Sequence, residues 1–371
     1  MTNGQAHFVV EAAQILSRGK KPAILVGIGA RRATRAVVAL ARRCGAPILT
    51  TPEAKSQIDE TSDHAAGVFS FGANDYATAV VAAADTVIAL GTDLGEFASR
   101  GGKAFIGKAV IQIADDPRDV ATAVRPDIVL GGDIAHVARA LIRSIAPSDA
   151  QPWFLDLRSR RLAARPPCTT ASRAIDPASA VSAIDLALPR RSRIACDVTS
   201  ATLTVLREMR LGRQRRLWTS LEKSACMGSA LPAGIGLRIA SGLPTVVLIG
   251  DWGLMMGQSE LHTIASLGLG QLAIVVWSNS GGALIRCGVR AQGLHTPAAS
   301  HTWDRAPSFE LVARGYNLRA LTVRTARRLR QALTIALASP FPVLIDAIID
   351  PNGEVPAGDR YLHLNASADG Q

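Results

Sequence analysis

Asp251 and Asn279 are the residues of this 371-residue chain whose types and spacing point most clearly to chemistry. Each follows a short run of β-branched and aliphatic residues. Thr245 to Ile249 reads as a strand buried on both faces and closed by Gly250-Asp251. Leu272 to Trp277 reads as a second, left by the turn Ser278-Asn279-Ser280-Gly281-Gly282. Between them, Ser259 to Leu267 sets Leu261, Ile264, Ala265 and Leu267 on one helical face, and Gly268 and Gly270 stop that helix. This is a β-α-β unit, with a right-handed crossover expected. Parallel neighbours put Asp251 and Asn279 side by side at the carboxyl edge of a sheet, where open α/β sheets bind ligands. A carboxylate, an amide oxygen and a free turn carbonyl make an oxygen-only set. Such a set suits Mg²⁺, which keeps few protein ligands and completes its shell from phosphate and water. Glycines beside it let backbone approach a diphosphate. The alternative is that Asp251 only caps a helix and Asn279 only makes a turn.

The elements that hold these two residues belong to a longer alternation. Ahead of them read a helix over residues 8–18, a strand Pro22 to Val26 ending in Gly27-Ile28-Gly29, a helix Ala33 to Arg43 and a strand Ile48 to Thr51. Val80 to Ala84 falls in a helix, Thr86 to Leu90, Ala109 to Ala114 and Ile128 to Leu130 are strands, and Ala135 to Ile145 is a helix. Strands alternating with helices imply parallel sheets covered on both faces. The expected fold class is α/β, with two doubly wound parallel-sheet domains. The expected divisions are 1–146, a linker over 147–175 rich in Pro, Ser, Ala and Arg, and 176–371. In the last part Ala178 to Leu188 is a helix and Arg193 to Cys196 a strand ending in Asp197-Val198-Thr199-Ser200. Phe309 opens another helix, Ala326 to Ala338 is a further one, Pro342 to Ile349 is the closing strand, and a polar tail follows. Gly27-x-Gly29 is either a phosphate cradle or a tight strand-to-helix turn.

Composition excludes several classes. At 48 % hydrophobic the chain has ample core material, and at 4 % aromatic that core rests on Ala, Val, Ile and Leu. No apolar run is long enough to span a bilayer and the start lacks a signal-peptide pattern, so a cytoplasmic protein without membrane contact is expected. Five cysteines, Cys44, Cys168, Cys196, Cys226 and Cys287, are scattered without metal-ligand spacing and are expected to be reduced. The net charge of +11 comes largely from dispersed Arg clusters without interleaved aromatics, so solvated faces are expected rather than a nucleic-acid surface. His262, His295, His301 and His363 share no catalytic spacing.

The stretch Gly250 to Gly281 resembles the cofactor-binding motif of thiamine diphosphate (ThDP) enzymes: Gly-Asp-Gly, a helix, a strand, then Asn-Asn. Gly250-Asp251 matches its start, Glu260-Leu261 a Glu-Leu on its helix, and Asn279 its second Asn. The resemblance implies that the Asp251 and Asn279 side chains and the Gly281 carbonyl bind Mg²⁺, with Gly250, Trp252 and Gly253 along the diphosphate. Two positions depart from the motif: Trp252 stands at its third residue, normally Gly, and Ser278 at its first Asn. Trp252 matters more, since a bulky side chain stands where backbone normally hugs the diphosphate.

Ser224 to Gly236 resembles the same family's Gly-x-Met-Gly-x-x-Leu-Pro-Ala-x-Ile-Gly run. There a large apolar side chain wedges between the two thiamine rings, and Met227 falls at that place, beside Cys226. The Ala225 carbonyl would accept from the 4′-amino group. Core filling is the other reading of Met227. Thr199 and Ser200 lie where the family contacts the diphosphate, with a plain helix N-cap as the equal alternative. Residues 8–145 resemble the central domain of the acetolactate synthase/pyruvate decarboxylase group, through Lys21 to Gly27, Gly45 to Ile48, Ala84 to Gly91 and Asp115-Asp116-Pro117. Some members bind FAD or ADP in this domain and others use it structurally; no residue here decides between them.

In that family a pyrimidine-binding domain carries the Glu that activates the cofactor, and no Glu here sits in a matching context, so no catalytic residue is assigned. The expectation is one subunit of a split ThDP enzyme, completed by a separate pyrimidine-binding-domain chain in a hetero-oligomer containing a dimer of this chain. It would decarboxylate or carboligate 2-oxo acids, or cleave 2-hydroxyacyl compounds. A non-catalytic, degenerate paralogue serving as a scaffold or regulatory subunit is the alternative, motivated by Trp252 and Ser278. Arg286 and Arg290 read either as solvated arginines or as contacts for an anionic substrate.

Overall fold

The aliphatic runs become strands because helices bury them from both sides. The computed structural model describes residues 3–116, 123–147, 152–157, 174–357 and 360–361. Most of the expected linker, Cys168, His363 and most of the polar tail lie outside these residues. The chain divides into two compact units, Met1–Pro166 with Arg210–Arg213, and Pro167–Met209 with Gln214–Gln371. No helix among the described residues is long and apolar enough to cross a membrane.

The first unit holds β1 (Pro22–Val26), β2 (Ile48–Thr50), β3 (Ala65–Val68), β4 (Thr86–Leu90), β5 (Ala109–Ala114) and β6 (Ile128–Gly131). They form one parallel sheet in the order β3-β2-β1-β4-β5-β6. Successive residues of β1 serve opposite cores. Ile24 and Val26 pack with Leu16, Val37, Leu40 and Leu141 from helices Asn3–Arg18, Thr34–Cys44 and Ile134–Ser144. Ala23 and Leu25 pack with Tyr76 and Val80 of helix Asp75–Ala83. That two-sided burial explains why the strand has no polar alternation. After β1 the chain makes a tight turn against Gly91: Gly29 N donates to Gly91 O at 3.0 Å, and a Cβ on Gly27 would lie 2.2 Å from the same oxygen.

The second unit holds β7 (Ser192–Cys196), β8 (Arg215–Thr219), β9 (Thr245–Gly250), β10 (Leu272–Ser278), β11 (Arg319–Val323) and β12 (Val343–Ile348). Their order is β11-β12-β10-β9-β7-β8, again all parallel. Val247, Ile249, Ile274 and Val276 share a core with Leu231, Leu261, Ile264 and Phe309 from the flanking helices. Val246, Leu248, Val275 and Ile345 on the opposite face are fully buried too. The fold class is therefore α/β with two parallel sheets, as expected.

Two details differ from the sequence reading. Two short helices, Asp251–Gly257 and Glu260–Ser266, follow β9: the second is the helix expected over 259–267, and the first was not anticipated. The first is pinned where Gly257 passes the backbone of Gly228, 3.1 Å from a Cβ placed on Gly257. Strands β3, β8 and β11 were not anticipated. The order also reverses at β7: β8 lies on one side of it and β9 on the other, which opens a crevice at the carboxyl ends of β7 and β9.

Candidate functional site

The last rung between β9 and β10 pairs Gly250 with Trp277. Asp251 and Asn279 therefore leave neighbouring strand ends, the placement that their spacing implied. Asp251 is 2 % exposed and Asn279 6 %. The Asp251 Oδ1 accepts from its neighbour's amide, Trp252 N, at 2.8 Å. Its Oδ2 accepts from Gly281 N at 2.7 Å and from the Trp303 indole Nε1 at 3.2 Å. Burial pushes the Asp251 carboxyl above the usual carboxylate range, while these hydrogen bonds and the Arg286 charge pull it back.

Asn279 reaches across the crevice. Its Nδ2 donates to Ser200 Oγ at 3.1 Å, which leaves Oδ1 without a donor among the described residues. Ser200 opens helix Ser200–Glu208, and Thr199 holds the N-cap position in extended conformation. The Thr199 side chain accepts no helix N–H. It turns instead toward Gly250, where an added Cβ would lie 2.9 Å from Thr199 Oγ1. The Gly281 carbonyl takes one hydrogen bond, from Ala283 N at 2.8 Å, and keeps a second lone pair.

The turn around Met227 is held over the start of helix Asp251–Gly257 by Asp197. This fully buried carboxylate follows β7 and accepts from Gly228 N at 2.9 Å, Ala230 N at 3.3 Å and Ser229 Oγ at 3.4 Å. Burial raises its pKa, and the hydrogen bonds oppose that. Gly253 lies directly beneath: a Cβ there would come within 2.2 Å of Asp197 Oδ2. Ala225 takes a left-handed φ of 47°, and no donor among the described residues reaches its carbonyl. Cys226 is exposed and gives its carbonyl to Ser229 Oγ at 2.7 Å. Met227 is 38 % exposed, so it is not core filler in this unit.

Trp252 folds onto the turn after β10. A Cβ on Gly282 would sit 3.0 Å from its ring, and one on Gly281 3.2 Å from its Nε1. The ring meets Trp303 edge-on, with centroids 6.1 Å apart at 83°. Trp303 arrives because residues 301–303 run antiparallel beside the turn, with Gly282 N donating to His301 O at 3.0 Å. Arg286 corrects the sequence reading. It is 7 % exposed, and its guanidinium is spent on three carbonyls rather than on solvent or a substrate anion. Arg290 instead lies at the surface, 3.5 Å from Asn352 Oδ1.

Comparison with known proteins decides what this crevice is. The model of the thiamine pyrophosphate enzyme central domain matches residues 9–141, and that of the thiamine pyrophosphate enzyme C-terminal TPP binding domain matches residues 197–347. The chain belongs to the thiamine diphosphate-dependent enzyme family. Among its relatives is the acetolactate synthase large subunit of Pyropia yezoensis, 25 % identical over 362 residues, which cover 95 % of this chain and 61 % of that protein. A probable 2-ketoarginine decarboxylase of Pseudomonas aeruginosa is 27 % identical over 313 residues, 82 % of this chain and 54 % of the relative. A probable acetolactate synthase large subunit of Methanocaldococcus jannaschii is 24 % identical over 391 residues, 98 % and 64 % respectively. The chain thus spans about three fifths of the length of the first of these relatives.

The ThDP-binding domain offers a donor set of the right chemistry for a hard cation carrying a diphosphate. Asp251, the spare Asn279 Oδ1 and the second lone pair of Gly281 O are all oxygens, and burial has already made the unscreened Asp251 charge costly. Among the described residues no group of three or more His, Cys, Asp or Glu forms a competing metal cluster. Sequence reasoning missed three contributors. Asp197 was visible as a carboxylate at a strand end, yet only the fold shows it clasping the Met227 turn. Trp303 had no local signal, and Arg286, read as solvated or as a substrate contact, gave no sign of its backbone role, since both roles depend on a loop folding back.

Proposed function

We propose that the chain is the diphosphate-binding subunit of a ThDP-dependent enzyme acting on 2-oxo acids, by decarboxylation or carboligation, or on 2-hydroxyacyl compounds. A separate chain with the pyrimidine-binding domain completes the site in a cytoplasmic hetero-oligomer containing a dimer of this chain. One observation carries the reading: Asp251 and Asn279 stand at adjacent strand ends, with Asn279 hydrogen-bonded to Ser200 at the start of the helix after β7. The names of the relatives, acetolactate synthase and 2-ketoarginine decarboxylase, support the substrate class.

The cofactor, when bound, supplies a nucleophilic carbon and an electron sink for the carbonyl carbon of the substrate. The residues of this chain bind and orient. Asp251, Asn279 Oδ1 and Gly281 O would hold Mg²⁺. Thr199 and Ser200 would offer hydroxyls to the diphosphate, and the carbonyl at the left-handed turn of Ala225 would accept from the aminopyrimidine amine. Met227, propped by Asp197 through Gly228, would keep the two rings bent toward each other. The activating carboxylate is assigned to the partner chain.

Purification of the native complex tests this reading. A pyrimidine-domain chain should co-purify, and mixing the two chains with ThDP and Mg²⁺ should turn over a 2-oxo acid that neither chain alone consumes. A native preparation without such a partner, together with no activity on mixing, would count against it.

A specific observation favours the second reading, a non-catalytic scaffold or regulatory subunit. The Trp252 ring covers the Gly281-Gly282 turn, and the Gly281, Gly282 and Ala283 amides all donate within the protein. A chain of that kind would bind its partner and leave ThDP unbound.

A further inference from the structure

Arg286 projects from helix Ala283–Ala291 back beneath the turn that precedes it. Its Nη2 donates to Asn279 O at 2.7 Å, and its Nη1 donates to Ser280 O and His301 O, each at 3.2 Å. Three carbonyl oxygens from two segments thus converge on one buried cation. Without it their dipoles would repel, and Asn279 O would be a buried acceptor with no partner, while Ser280 O would keep only the long bond from Trp303 N at 3.4 Å and His301 O the bond from Gly282 N at 3.0 Å. The planar guanidinium meets them together, a geometry that an ammonium cannot match.

The two clamped segments are those that shape the oxygen site. Asn279 and Ser280 carry the turn whose next residue, Gly281, donates to Asp251. Ser280 holds a left-handed φ of 67°, which a non-glycine residue keeps only when its surroundings enforce it. His301 lies two residues before Trp303, whose indole donates to the same Asp251 oxygen. All of the hydrogen bonds made by Arg286 go to backbone, so it sets positions, and its charge also attracts Asp251.

We propose that Arg286 is the positioning residue of this site: its guanidinium locks the Asn279–Gly281 turn to the His301–Trp303 segment, so that Asn279 Oδ1 and Gly281 O face the cation that Asp251 binds. The inference rests on the ThDP reading of the site. Loss of the clamp leaves Asp251 in place and lets its companions drift.

The test uses the full chain and two readouts, calorimetry with ThDP and Mg²⁺, and tryptophan emission of the cofactor-free protein. Arg286→Met should weaken Mg²⁺-dependent ThDP binding by roughly 10–100-fold, the usual range for a residue that orients metal ligands. It should also shift the emission, because Trp303 loses its fixed place on Asp251. Arg286→Lys should fall between wild type and Arg286→Met. In Arg286→Ala, millimolar guanidinium should restore both affinity and emission, a recovery that a purely structural loss would not show. Should Arg286→Met fail to fold, Arg286→Lys carries the comparison. Wild-type affinity in Arg286→Lys and Arg286→Met, or no recovery with guanidinium in a folded Arg286→Ala, overturns the proposal. No ThDP binding by the wild-type chain would instead overturn the cofactor reading, with the emission shift and its rescue still reporting on the clamp.

Discussion

Asn279 Nδ2 lies 3.1 Å from Ser200 Oγ, although the two residues are 79 positions apart in the chain. The contact joins the turn after β10 to the helix that follows β7, across the strand end that carries Asp251. It also fixes which way the Asn279 amide faces, because an amide that donates on one side must present its oxygen on the other. The site is therefore an arrangement of three strand ends, and each can be tested separately.

Asp251→Asn should remove Mg²⁺-dependent ThDP binding by at least about a hundredfold, in line with loss of a charged metal ligand worth roughly 3 kcal/mol. The cofactor-free chain should lose only about 1–2 kcal/mol, since the amide oxygen still accepts from Gly281 N or Trp303 Nε1 while its NH₂ faces a donor. Calorimetry and thermal melts of the same preparations check both halves. Undiminished binding would show that Asp251 is no ligand to the cation.

Trp252→Gly should have opposite effects on stability and affinity. Removing a half-buried indole from the Gly281-Gly282 turn should cost about 2–3 kcal/mol in the cofactor-free chain. It should also clear backbone for the diphosphate and tighten ThDP binding by about tenfold, or about 1.4 kcal/mol. Weaker binding in this variant would mean that the indole is part of the ligand's own contact surface.

Gly253→Ala tests the prop beneath Met227. The added methyl would stand 2.2 Å from Asp197 Oδ2, so carboxylate or helix must shift. A loss of about 2–3 kcal/mol in chemical denaturation is expected, as for overpacking in a close-packed core. A change below about 0.5 kcal/mol would show that the Asp197 clasp gives freely.

Asp346→Asn tests pH dependence at the strand end beside the cation site, where Asp346 accepts from Ser278 next to Asn279. Burial raises the Asp346 pKa, opposed by its hydrogen bond from Ser278 Oγ and by the Arg324 charge. A raised folded-state value means that the contribution to stability is whole below the unfolded value of about 3.9 and is lost as pH rises through the folded value. The amide oxygen introduced by the substitution still accepts from Ser278, and the amide never ionises. The variant should therefore melt higher than wild type at pH 8, with the two curves meeting near pH ~4, about the unfolded value. A lower melting point at pH 8 would show that attraction to Arg324 outweighs burial.

The central strands were legible because both of their faces are buried, which leaves unbroken aliphatic runs such as Val246 to Ile249 and Leu272 to Val276. The strands that escaped reading, β3, β8 and β11, are all at sheet edges. β11 exposes Arg319 and Thr322, β8 begins with two arginines, and β3 is short, with Gly67 at a φ of 92°. Edge strands need neither double burial nor strong propensity, so their sequences resemble loops. The same reasoning divides the site. Asp251 and Asn279 stood out because each ends a buried run. Trp303 and the backbone role of Arg286 did not, because what places them is the 301–303 segment folding back along the turn, a pairing made at Gly281 and Thr302 with no periodic signature.

The most direct measurement is a calorimetric titration of the full chain with ThDP, with and without Mg²⁺. Saturable binding that requires the metal and disappears in Asp251→Asn is the expected result. No heat at millimolar ThDP with Mg²⁺ present, or equal heat without the metal, would contradict a magnesium diphosphate site at Asp251 and Asn279.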